Sequence, residues 1–222
     1  MVAVITARDE AGRIGATVEA VRGLPEVTEV VVASDGSADG TVEEARAAGA
    51  RVLAMARPMG KGGAVEMALS RIGAADGYLL LDGDLGASAK QAGRLLDEVL
   101  AGRADVAIGA FPRDPRHGGF RIVKRLATVV IRALSGFRAR EPLSGQRALS
   151  RRAVDAVRPL AHGFGVEVAM TIDAVRAGLR VVEVPVAMEH RSTGRDVAGF
   201  VHRGRQGAAV LRVAAPRALG RR

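Results

Sequence analysis

The feature that most constrains this chain is an alternation, through its first half, of short aliphatic runs with segments of helical spacing. The runs are Val2–Thr6, Glu29–Ala33, Arg51–Met55, Gly77–Leu81 and Asp105–Gly109, each the length of a buried strand. Between them, at about 11–23, 39–49, 61–73 and 88–101, apolar residues recur with helical period. Strands that alternate with helices pair in parallel and need helices on both faces, so the pattern predicts an α/β fold around a mostly parallel sheet. The core must be aliphatic, because six Phe and Tyr and no Trp serve 222 residues. A chain of this length fills one domain, expected over 1–215, with a frayed basic tail at 216–222.

The second half is less regular. Residues 111–120 carry two prolines and two glycines and read as a mobile loop. Helical spacing resumes near 121–135, 150–157, 166–177 and 197–213, with a strand-like run at Arg180–Ala187.

Ligands of such sheets sit beyond the carboxyl ends of the strands, which makes polar residues directly after a strand the first suspects. Three groups qualify: Ala7-Arg-Asp-Glu10, Ser34-Asp-Gly-Ser-Ala-Asp-Gly-Thr41 and Asp82-Gly-Asp84. Two carboxylates separated by one glycine can face a single hard cation and leave its other positions to phosphate oxygens. Asp39 or Ser37 fits a helix cap, which leaves Asp35 for a base or ribose. Lys61, between Gly60 and Gly62 at a helix start, sits where free N–H groups favour an anion. The upstream glycine and the following Ser or Thr of a triphosphate-binding loop are absent.

Taken in order, Ile5-Thr-Ala-Arg-Asp-Glu10, Ser34–Thr41, Gly60-Lys-Gly62 and Leu81-Asp-Gly-Asp84 resemble the motifs of glycosyltransferase family 2, whose fold is the GT-A nucleotide-sugar fold. The resemblance covers 2–110 and 143–191, and is nearest to the glucosyl-3-phosphoglycerate synthase-like and polyprenyl-phosphate sugar transferase-like branches. It implies a nucleotide-sugar half over about 1–110 and an acceptor half over about 111–215. It also implies a nucleotide-diphosphate sugar donor of the UDP-glucose or GDP-mannose type. The acceptor would be a phosphorylated small molecule or a lipid phosphate, and the cofactor Mn²⁺ or Mg²⁺. Glu10, Ser34, Asp35, Lys61 and Asp82 would hold the nucleotide sugar. Asp82, Asp84 and His190 would hold the metal. Glu167 would lie near the sugar or act as general base, with Asp84 and Lys61 assisting the chemistry. Ser144, Gly145, Gln146 and Arg191 would face the acceptor, with Arg195, Arg113, Arg116 and His117 around its phosphate. Thr6 and Asp9 depart from the family's Pro and Asn.

A charge of +9 favours phosphates, nucleic acid or an anionic membrane without choosing among them. The absence of Cys excludes thiolate metal sites and disulfides. No signal-like segment or membrane-length apolar run is present, so a cytoplasmic protein is expected, with a homodimer and peripheral membrane contact left open. No nucleic-acid partner is expected. Two competing readings are a sugar-phosphate nucleotidyltransferase and a basic peripheral binding protein. The first needs a glycine-rich basic loop where Ala7–Glu10 stands. The second would use the amphipathic run Arg121–Arg132 on an anionic surface.

Overall fold

The computed structural model describes residues 1–111, 121–188 and 197–219, with the backbone alone described at 121 and over 197–206. In chain order the elements are β1 (Val2–Ala7), α1 (Ile14–Arg22), β2 (Glu29–Ser34), α2 (Thr41–Ala47), β3 (Arg51–Ala54), α3 (Gly60–Arg71), β4 (Gly77–Asp82), α4 (Gly93–Leu100) and β5 (Val106–Ala110). Then follow α5 (Arg121–Ser135), β6 (Arg147–Ser150), α6 (Arg151–Val157), α7 (Val166–Arg176), β7 (Val181–Pro185) and α8 (Val197–Ala218). Short 3₁₀ turns occupy Gly86–Ala92 and Gly163–Gly165.

Seven strands form one sheet in the order β3-β2-β1-β4-β6-β5-β7. Among the described residues β6 is the antiparallel member, pairing so with β4 and β5, while the remaining pairings are parallel. The expected α/β architecture is therefore the observed one. The chain steps outward from β1 through β2 to β3 and returns to place β4 on the other side of β1. That reversal opens a crevice at the carboxyl ends of β1 and β4, where Thr6 pairs with Asp82.

The strands alternate with period two between two aliphatic layers. Val4, Val31, Tyr78, Leu80 and Ile108 face α3, α6 and α7. Ile5, Val30, Val32, Leu79 and Leu81 face α1 and α4. Each such side chain withdrawn from water stabilises the sheet by about 1.5–3 kcal/mol. Helix α7 is buried along most of its length. Its Val166, Met170 and Ala174 meet the sheet side, while Val168, Ala169 and Ile172 pack beneath α5 and α8.

Three expectations need correction. The segment 88–101 is not one helix: a 3₁₀ turn precedes α4. The strand β6 was not expected at all, because only four residues pair and they contain one buried arginine rather than an apolar run. The tail is not frayed from 216, since α8 continues through Pro216 to Ala218. Arg217 is 4% exposed and donates to Asp173 from Nε at 2.8 Å and from Nη2.

Candidate functional site

The crevice floor is built around Asp82-Gly-Asp84. The Gly83 amide donates to Thr6 O at 2.9 Å, and Gly83 O accepts from Thr17 Oγ1 at 2.8 Å. The Gly86 amide donates to the same hydroxyl oxygen at 2.8 Å. Arg13 donates to the Asp84 carbonyl at 2.9 Å. The backbone carrying both aspartates is thus pinned to β1 and α1. A Cβ on Gly83 would lie 3.0 Å from Ala7 Cβ and 3.2 Å from Thr6 O, so a side chain between the carboxylates would crowd the end of β1.

Asp82 is held on several sides. Its amide donates to Gln146 Oε1 at 3.0 Å, and Gln146 Nε2 donates back to its carboxylate at 2.7 Å. Lys61 forms an ion pair with Asp82 and a second with Glu167 at 3.0 Å. Thr6 Oγ1 stands 3.5 Å from the Asp82 carboxylate. Burial works against the charged Lys61 ammonium, but Asp82 and Glu167 outweigh it and hold its pKa above the usual lysine value. The cluster joins α3, β4, the residue before β6 and α7, drawing on the chain from Lys61 to Glu167.

How Lys61 arrives there explains the glycines beside it. A Cβ on Gly62 would come within 1.9 Å of Ala161 O, so α3 and the segment before α7 touch backbone to backbone. Glu66 fixes that approach by accepting from Arg158 at 2.7 Å and from the Leu160 amide at 3.0 Å. Glu167, 7% exposed at the start of α7, is thereby set against Lys61. Gly145 completes the arrangement: a Cβ there would lie 1.9 Å from Lys61 Nζ.

The start of α3 does bind an anion, and that anion is internal. Asp35 accepts from the Met59 amide at 2.6 Å and the Gly60 amide at 2.9 Å. Capping therefore does account for Asp35, on α3 rather than on the helix that follows it in sequence. Asp39 serves α2, accepting from the Thr41 amide at 3.0 Å. Ser34, 1% exposed, donates to Ser37 Oγ at 2.9 Å. The Glu10 amide donates to Thr41 Oγ1 at 2.8 Å, which ties the loop after β1 to the one after β2.

On the acceptor side Gln146 is fully buried, with both ends of its amide on Asp82. These contacts hold the Asp82 carboxylate, because the antiparallel ladder ends at Leu80–Arg147 and sets Gln146 beside the end of β4. Ser144 is 5% exposed, and its hydroxyl has no hydrogen-bond partner among the described residues. Arg147, which the sequence argument passed over, is 1% exposed. It donates to Ser144 O at 2.9 Å and Thr171 Oγ1 at 3.0 Å, while Nη2 has no hydrogen-bond partner among the described residues. Burial pushes its guanidinium down to about 10, with Glu167 and Glu183 pulling the other way. Arg147, Thr6, Lys61, Gly145 and Glu167 line a cavity of about 10 Å³, room for roughly one water.

Asp84 is half-buried two residues beyond Asp82. Among the described residues no three His, Cys, Asp or Glu side chains group as metal ligands. His190, Arg191, Arg195, Arg113, Arg116 and His117 lie outside the described residues.

Comparison with known proteins places this geometry. Glycosyltransferase AglJ of Haloferax volcanii is 33% identical over 75% of the chain, and the chain spans 56% of that protein's length. Polyprenol monophosphomannose synthase of Mycolicibacterium smegmatis is 32% identical over 74% of the chain and 68% of the relative. The structure of glucosyl-3-phosphoglycerate synthase from Mycobacterium tuberculosis with Mn²⁺, UDP and glucosyl-3-phosphoglycerate superimposes with a TM-score of 0.81 at 26% identity, covering 97% of this chain and 78% of that one. The model of glycosyl transferase family 2 matches residues 2–156, and with these likenesses in sequence and fold the chain belongs to that family.

Proposed function

We propose that this chain transfers a sugar from a nucleoside-diphosphate sugar, of the UDP-glucose or GDP-mannose type, to a phosphorylated small molecule or a polyprenyl phosphate. Residues 1–215 would act as one catalytic domain. The observation that carries the reading is the pair Asp82 and Asp84 at the β1–β4 crevice, pinned by Thr6, Thr17 and Arg13, with the Lys61 and Glu167 side chains beside them. The named relatives support it: the synthase from M. tuberculosis has been captured with Mn²⁺ and UDP-glucose and also with Mg²⁺ and UDP.

The donors fit a divalent ion. Two carboxylates and an imidazole offer hard oxygens with one nitrogen, a set that suits Mn²⁺ at least as well as Mg²⁺. We assign Asp84, Asp82 and His190 to it. Asp84 is the principal carboxylate, since Asp82 already faces Lys61 and Gln146. When bound, the ion supplies Lewis-acid neutralisation of charge on the departing diphosphate.

The chain's own residues do the rest. Glu10, Ser34 and Asp35 line the nucleoside side, and Asp35 also fixes the entry to α3. Lys61 holds Asp82 and Glu167 as oriented hydrogen-bond acceptors for sugar hydroxyls. Glu167, paired to Lys61 at 3.0 Å, positions the sugar; proton abstraction by it would require Lys61 to withdraw. Ser144, Gly145 and Arg191 are assigned to the acceptor side, with Gln146 acting through Asp82.

Calorimetric titration of UDP-glucose and GDP-mannose tests the site, with Mn²⁺, with chelator, and in Asp84→Ala. Binding should require the metal and weaken at least about tenfold in the variant, the cost of one lost charge-assisted ligand. Tight binding that ignores both chelator and substitution would remove the metal assignment. Mass analysis of products formed from phosphoglycerate and from polyprenyl phosphate then separates the two acceptors.

A further inference from the structure

Seven large apolar side chains are conspicuously exposed among the described residues, and four of them lie on or directly after two helices: Ile122 at 80% and Val129 at 58% on α5, Leu211 at 54% on α8 and Leu219 at 76% in the turn just past it. On α5 the exposed positions 122, 125, 129 and 132 form one stripe in which Ile122 and Val129 alternate with Arg125 and Arg132. On α8 the exposed positions 208, 211, 212, 215 and 218 form another, carrying Leu211 and Arg212. Both helices pack on the outer side of the buried α7 and against each other through Val123, Ala127, Ile131, Val210 and Val213. Their ends are tied by Arg176, which donates to Leu134 O at 2.8 Å and Arg217 O at 2.7 Å. Two helices laid side by side on one support turn their free stripes to the same side.

That shared face has a single sign. Neither 121–135 nor 197–222 contains an Asp or Glu. Arg125, Arg132 and Arg212 make no ion pair among the described residues, whereas Lys124 pairs with Glu141 at 2.5 Å. We propose that the outward face of α5 and α8 docks on an anionic lipid bilayer, with the arginines among the headgroups and Ile122, Val129, Leu211 and Leu219 in the acyl boundary. A second copy of the chain would oppose cation to cation on this face. Nucleic acid would satisfy the arginines but has no use for four aliphatic side chains. No helix among the described residues is long and apolar enough to cross a membrane, so the contact is a surface one. The proposal stands independently of the sugar-transfer reading.

Flotation with vesicles of phosphatidylcholine alone, and of phosphatidylcholine mixed with phosphatidylglycerol, tests it. The wild type should float with the mixed vesicles and release on raising salt. Arg125→Glu/Arg132→Glu should lower partitioning by at least about 25-fold, at about fivefold per cation near the surface. Val129→Asp/Leu211→Asp should also abolish flotation, through the apolar half of the contact. Both variants change exposed positions, and unchanged circular dichroism and urea midpoints exclude unfolding as the cause. Wild type that stays with the soluble fraction, variants that float as well as wild type, or a wild-type dimer that the variants dissociate would each overturn the proposal. So would RNA homopolymer displacing the vesicles at equal phosphate concentration.

Discussion

Replacing Lys61 by methionine keeps the length of the side chain and removes its charge, which isolates the electrostatic part of the cluster. Lys61 lies between Asp82 and Glu167, with side-chain exposures of 21%, 27% and 9% respectively. Removing one member of a buried ion pair costs about 3–5 kcal/mol, because the partner is left without compensation. Discounted for the exposed fifth of Lys61, the expected loss is about 2–4 kcal/mol at neutral pH. For a domain of this size each kcal/mol moves the melting temperature by about 2–4 °C, so Lys61→Met should melt about 5–15 °C lower. Without tryptophan in the chain, far-ultraviolet circular dichroism is the readout, with urea titrations on protein free of donor and metal.

The pH dependence separates charge from packing. Lys61 has a raised pKa in the fold. Its stabilisation is fully present below the unfolded value of about 10.4 and is lost only as pH climbs through the folded one. Between acid and neutral pH the wild-type lysine therefore adds no slope. In Lys61→Met the carboxylates of Asp82 and Glu167 are left without the ammonium between them, and acid relieves the uncompensated negative charge by neutralising it. The deficit should shrink as pH falls from about 7.5 towards about 4, the unfolded carboxylate range. Adding Glu167→Gln should recover at least about half of it at neutral pH, by removing one uncompensated charge. A deficit under about 1 kcal/mol, or one identical at both pH values, would refute the electrostatic account.

Other substitutions probe neighbouring parts of the framework. Gly145→Ala places a methyl 1.9 Å from Lys61 Nζ and should cost about 1–3 kcal/mol by overpacking in urea titrations. Donor binding by calorimetry should weaken with it as Lys61 is displaced. Asp35→Ala removes the acceptor for the Met59 and Gly60 amides and should lower stability by about 1–2 kcal/mol, with Asp35→Asn recovering part, because its amide keeps one acceptor oxygen. Arg217→Met leaves Asp173 buried and unpaired, at a cost of about 3–5 kcal/mol, whereas Arg217→Met/Asp173→Leu should return to within about 1 kcal/mol of wild type. A double variant no more stable than the single one would mean that Arg217 acts through packing alone.

The sheet was legible because its code is local. Val2–Thr6, Glu29–Ala33 and Gly77–Leu81 announce buried strands by composition and length, and all three fall within observed ones. β6 was not, since Arg147 breaks the apolar run; its guanidinium is accommodated there because the nearby Ser144 carbonyl and the distant Thr171 hydroxyl accept from it. The end of α8 was hidden by the opposite error. Pro216 and a run of basic residues imitate a frayed tail, and nothing near them in sequence reveals that Asp173 awaits Arg217. Capping misled in the same way, because Asp35 serves a helix that begins 25 residues later.

The same distinction separates the two aspartates that the sequence treats as a pair. Asp82 and Asp84 look equivalent in Leu81-Asp-Gly-Asp84, yet their surroundings come from different parts of the chain. Asp82 ends β4, so its side chain falls among β6, α3 and α7, where Gln146 and Lys61 already engage it. Asp84 lies past the crowded Gly83 on a backbone that α1 secures through Arg13 and Thr17. A cation approaching Asp82 must compete with a fixed ammonium. The Asp-x-Asp motif thus contains one carboxylate engaged by an internal lysine, Asp82, and Asp84 is the one proposed to lead the metal contact. The glycine between them keeps the two roles two residues apart on a fixed turn.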